Sequence, residues 1–95
     1  MKIPNSINVD GLIFKIIILN SADLLGKKLV GKVDWLKQCI YIDGNYPLNQ
    51  QFKTLLHEII HLVDYDYSLD LSEENIERVS SGLYQVLKNN NLLKE

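Results

Sequence analysis

The hydrophobic pattern changes its period at Pro47, and this change limits the fold more than any other feature of the chain. Before it, apolar residues come in short β-branched runs. After it, they recur at the three-and-four spacing of helices. Residues 1–46 therefore read as strands and residues 47–95 as helices, a segregation that gives an α+β domain. The expected fold is a small antiparallel sheet of three to four strands followed by two packed helices. No repeat or linker divides the 95 residues, so 1–95 reads as one domain.

In the first half, Ile7-Asn8-Val9 and Leu12 to Leu19 flank Asp10-Gly11, and Asp-Gly between apolar runs is a strong hairpin signal. The run "IFKIIIL" is β-branched and reads as a central strand. "NSADLLG", residues 20–26, reads as a turn or a single helical turn. "LVGKVDW" and "QCIYID" supply the remaining strands. In the second of these, Cys39, Tyr41 and Asp43 point one way and Ile40 and Ile42 the other. Gln38–Asp43, as the last strand, is expected at a sheet edge.

In the second half, Pro47 suits a first helical turn, and the spacing predicts a helix from about 47 to 65. Leu48, Phe52, Leu55, Leu56, Ile59, Leu62 and Val63 share one broad arc, while His57, His61 and Asp64 lie opposite, beside Thr54. Ser72 is a candidate N-cap for the second helix, with Glu73 and Glu74 in its first turn and Leu71 and Ile76 spaced as a hydrophobic staple. Its expected apolar stripe is Ile76, Val79, Leu83, Val86 and Leu87, with Glu77, Ser80 and Tyr84 along one flank. The chain is expected to fray beyond about Lys88.

Both histidines of the chain fall in "TLLHEIIHLVD", four residues apart. Side chains at i and i+4 project from one helix face, so the two imidazoles can approach one cation at about 2 Å each. Glu58, about 100° round the helix, is displaced from that pair but can reach a water held beside it. This arrangement lets a metal ion acidify water while a carboxylate takes the proton. A lone histidine on a helix is ordinarily a surface or core residue. Here both lie off the apolar arc, so core filling does not account for them. A catalytic zinc takes three protein ligands, and with no third histidine a carboxylate must serve. Glu77, 16 residues after His61 and one turn inside the second helix, is the expected third ligand. Glu73, one turn earlier, is its rival, and Asp64 is expected to orient a histidine N–H.

Composition narrows the partners. The net charge is −2 with scattered basic residues, which disfavours nucleic acid and the membrane surface as partners. The longest apolar run, Ile16 to Leu19, is too short to span a bilayer. The N-terminal residues lack an apolar h-region, and Cys39 is the lone cysteine, so the expected compartment is the cytoplasm.

"TLLHEIIH" followed by "ENIERVSSGLYQVL" resembles the small zinc peptidase-like proteins of the ImmA/IrrE group, especially their short phage and prophage versions. That family carries a pattern like E-x-x-A-N-x-F-A-x-x-L in its second helix, matched here by Glu77 through Leu87. The resemblance places the metal ligands on His57, His61 and Glu77, and the catalytic glutamate on Glu58. It spans about residues 29–89, with Ser80 and Ser81 where the family has Ala and Asn. "CIYID" looks like the family's active-site edge strand. The resemblance implies a minimal zincin-like hydrolase using Zn²⁺ on a peptide or protein substrate, with a helix-turn-helix repressor as the implied target.

On this reading Glu58 deprotonates water and later protonates the leaving amine. A substrate strand pairs with Gln38–Asp43, and Tyr65, Tyr67 or Tyr84 could assist the oxyanion. The alternatives are a non-catalytic protein in which the same ligands staple a small domain, and a metal-free interaction module.

Overall fold

The computed structural model describes residues 2–20 and 30–93. Four strands, β1 (Ser6–Val9), β2 (Leu12–Leu19), β3 (Gly31–Asp34) and β4 (Cys39–Asp43), precede two helices, α1 (Leu48–Tyr67) and α2 (Glu73–Asn89). The α+β segregation read from the change of period is thus the architecture of the chain. The "NSADLLG" turn lies, beyond Asn20, outside the described residues.

Asp10 and Gly11 both take positive φ, 50° and 89°, and close the β1–β2 hairpin with Val9 opposite Leu12. Such angles at two central residues are what a two-residue hairpin turn requires. The sheet order is β1-β2-β4-β3, so β2 is central, as its β-branched sequence predicts. The sheet is mainly antiparallel, as expected, through β1–β2 and β3–β4, and β2 and β4 run parallel, which makes it mixed. One expectation is corrected: β4 is interior, with β3 at the edge. The physical reason is visible along "CIYID", where four of five residues are buried. β4 pairs with β2 on one side and with β3 on the other, which leaves it no free edge.

Phe14, Ile16, Ile40 and Ile42 project from one face of the sheet and pack with Leu55 and Leu62 of α1, joined by the half-buried Ile7, Val9, Val33 and Ile59. Helix α1 follows Pro47, whose carbonyl accepts from the Gln51 N–H at 2.9 Å. It ends at Ser68 in the left-handed conformation (φ 53°), where the Leu69 N–H returns to the Asp64 carbonyl at 3.1 Å. Ser72 caps α2 as expected, its Oγ accepting from the Asn75 N–H at 3.1 Å. The Tyr67 hydroxyl donates to Asp10 at 2.8 Å and ties the end of α1 to the first hairpin.

The buried face of α2 differs from the expected stripe. Ile76, Ser80 and Tyr84 are buried, whereas Val79, Leu83 and Val86 are exposed. These two sets are centred about a quarter turn apart on the helix. The fully buried Ser80 permits close approach to α1, and its hydroxyl is satisfied by the Glu77 carbonyl at 3.1 Å.

One close approach positions the site. A Cβ added at Gly31 would stand 2.5 Å from Thr54 Cγ2, 3.1 Å from the Tyr41 carbonyl oxygen and 3.4 Å from Glu58 Oε2. The edge strand therefore touches α1 through bare backbone, and Thr54 and Glu58 are buried beneath it. Gly31→Ala is expected to cost about 1–3 kcal/mol of stability by overpacking. Adding Thr54→Ser, which removes the obstructing methyl, should recover part of that loss. Denaturant unfolding of the single and double variants checks both.

Candidate metal centre

Four side chains from two helices converge at the start of α2. His57 and His61 project from consecutive turns of α1, their ring centres 4.9 Å apart and their Nε2 atoms 3.2 Å apart. Glu73 opens α2 and lays its carboxylate across both, with Oε1 2.6 Å from His57 Nε2 and Oε2 2.9 Å from His61 Nε2. Glu77, one turn on, takes the other side of the first ring, its Oε2 lying 2.7 Å from His57 Nδ1. Ser81 steadies Glu77 by donating to its Oε1 at 3.2 Å. His57, His61 and Glu73 together could bind a metal ion, each offering a ligand atom within 4.8 Å of the others.

The structure thus separates two glutamates that spacing left as rivals. At the paired Nε2 atoms it puts Glu73, and the expected ligand Glu77 instead holds Nδ1 of His57. The expectation for Asp64 is also revised. Its Oδ1 accepts from the Leu71 N–H at 2.8 Å, bracing the connection between the helices, and the carboxylate–imidazole contact expected of it is made by Glu77. The reason is the stagger of α2 along α1, which brings the first turn of α2 to the histidines.

The donor chemistry fits a divalent cation. An ionised carboxylate only accepts, so each short contact calls for an N–H on the imidazole side. That requires protons on Nδ1 and Nε2 of His57 and on Nε2 of His61. Two Nε2–H groups 3.2 Å apart oppose one another. A single cation in their place satisfies the same lone pairs. Two ligands about 2.1 Å from a tetrahedral ion stand about 3.4 Å apart. The Nε2 pair is already close to that separation, and the Glu73 oxygens, at 2.6 and 2.9 Å, would have to retreat by about 0.5–0.8 Å.

Glu58 is set apart from this cluster. It is only 7% exposed, beneath Gly31, and among the described residues no hydrogen bond to its carboxylate is present. Burial pushes its pKa above the usual carboxylate range, the charges of His57 and His61 pull it back, and Glu73 adds to the rise. The cluster and Glu58 share a groove of about 780 Å³ between β3, α1 and the start of α2.

Of the three tyrosines weighed for the oxyanion, only Tyr65 lines the groove. Tyr67 is committed to Asp10, and the Tyr84 hydroxyl is buried without a partner among the described residues. Sequence reasoning did not single out Gly31, Trp35 or Lys53, which also border the groove. A glycine inside the strand pattern "LVGKVDW" is the signal that could have exposed the first.

Comparison with family models, curated proteins and solved structures returns no match to this chain, so the resemblance stands on its own motif residues. The burial of Glu58 carries a testable consequence. A carboxyl whose folded pKa is raised contributes stability that is present at acid pH and lost as pH rises through that folded value. Glu58→Gln removes the buried charge. In the metal-free protein it should raise stability at neutral pH by about 1 kcal/mol, a shift of about 4–8 °C in melting temperature. It should also flatten the decline in stability above the carboxylate range, as thermal melts between pH 4 and 8 would show (about the range in which a raised carboxyl titrates).

Proposed function

We propose that the chain is a minimal zincin-like hydrolase that cleaves a peptide bond with Zn²⁺. The observation that carries this reading is Glu58, a buried carboxylate without a protein partner among the described residues, beside paired imidazoles in an open groove. A purely structural metal site needs the ligands but has no use for a desolvated acid next to them.

His57 Nε2, His61 Nε2 and the Glu73 carboxylate are the proposed ligands. Glu77 fixes the ring of His57 through Nδ1, a contact that orients a ligand and raises its basicity. Bound zinc would supply Lewis acidity toward a scissile carbonyl and acidify a water beside it. Glu58 takes the proton from that water as it attacks and returns it to the leaving amine. Burial raises its pKa, the direction that makes a carboxylate a stronger proton acceptor. The edge strand that can receive an extended substrate is β3, in place of the β4 strand expected from sequence. A repressor-type regulatory protein, carried by the resemblance alone, is the first substrate to try.

The stapled, non-catalytic reading keeps one observation in its favour: the proposed ligands come from both helices, so an ion there would pin α2 to α1. Zinc content and peptide cleavage measured in parallel separate the two. Glu58→Gln should keep its zinc and lose cleavage by about 10²–10⁴-fold. Glu73→Ala should lose stoichiometric zinc, and Glu77→Ala should retain it with affinity lowered by about 10–100-fold. Unchanged zinc affinity in Glu73→Ala would overturn the ligand assignment. A zinc-loaded wild type that cleaves no peptide would favour the staple.

A further inference from the structure

The groove has unlike ends. Gly31 lies against Thr54 and Glu58, and Trp35 lies against Tyr65, so β3 and α1 run alongside each other in the same direction. At one end Lys53 places a positive charge on the lining. At the other the lining is aromatic. The Trp35 and Tyr65 rings are 4.8 Å apart and inclined at 52°, and Phe14 meets Trp35 edge-on at 6.1 Å from the core side. The platform is therefore braced from beneath, yet Trp35 stays 45% exposed and Tyr65 72%. Paired Trp and Tyr side chains kept in water on a braced support are the composition of a binding hot spot.

We infer that Trp35 and Tyr65 form a specificity subsite for a bulky apolar side chain of an extended peptide lying along β3. This rests on the hydrolase reading for its choice of a peptide as occupant. Two observations favour that occupant. The platform sits at the end of an edge strand, where backbone pairing would hold a peptide in register. And the far end of the groove offers a lysine, which complements a carboxylate on the same peptide. Lys53 and Tyr65 are 12 residues apart on α1, about 18 Å along the helix axis. That is the span of five or six extended residues at about 3.3 Å each.

Trp35 is the only tryptophan, so its emission reports on the subsite directly. The probe is a ten-residue Ser/Thr-rich peptide carrying one Phe and one Glu five positions apart. It is made in both orders, and the tighter binder is taken forward. Titrated into Glu58→Gln protein, which does not consume it, this peptide should shift the Trp35 emission to shorter wavelength with saturation. Replacing its Phe by Ala should weaken binding about tenfold or more. Tyr65→Ala should abolish that preference while circular dichroism shows the fold retained. Equal affinity for the Phe and Ala peptides, or saturable binding that leaves the Trp35 emission unmoved, would overturn the subsite. The readout is binding and needs no turnover. Selective binding without cleavage by the wild type would therefore remove the hydrolase reading and leave the subsite standing.

Discussion

The contact between bare backbone at Gly31 and the side chains of Thr54 and Glu58 governs the rest of the site. It brings the edge strand onto α1 closely enough to bury a carboxylate that would otherwise lie in water. Burial, more than any neighbouring charge, lifts the Glu58 pKa. The same approach makes β3 a wall of the groove that Glu58 shares with the histidines. A larger residue at 31 would push the strand outward, hydrate Glu58 and return it to ordinary carboxylate behaviour. One missing methyl thus sets both a packing distance and a proton affinity.

The parts of this arrangement legible in the sequence were those fixed by local periodicity and turn chemistry. The Asp10-Gly11 turn, the two helices, the Ser72 cap and the shared face of His57 and His61 all follow from residues within one or two turns of one another. What was not legible depends on how whole elements lie against each other. Glu73 and Glu77 are one helical turn apart on the same flank of α2, so angular position cannot tell them apart. Only the stagger of α2 along α1 does. Likewise "CIYID" alternates well enough to pass for an edge strand, and its interior place follows from the parallel pairing with β2, a long-range choice.

The second helix shows how far a hydrophobic stripe can mislead. Val79, Leu83 and Val86 are the more apolar set, yet Ser80 and Tyr84 are buried in their place. The winning face is the one that lets the helices close up, because a serine costs little volume and can satisfy its own hydroxyl on the preceding turn. That rotation also turns Glu77 toward His57 and leaves Ser81 in contact with it. In the sequence, Ser80 and Ser81 were the departures from the family pattern. In the structure, one sits in the helix interface and the other supports the carboxylate beside the imidazole.

The second helix is anchored to the first through Ile76, Ser80, Tyr84 and the glutamates at its start. A cation shared by His57, His61 and Glu73 would therefore act on the same equilibrium as the docking of α2. Thermodynamic reciprocity follows. Whatever tightens the docked helix raises the apparent cation affinity, and whatever loosens it favours release by the same factor. The exposed Val79–Leu83–Val86 surface, unlike the imidazoles in the chemistry of its side chains, lies on the same helix. A protein that gripped it would be turning a dial on the ion.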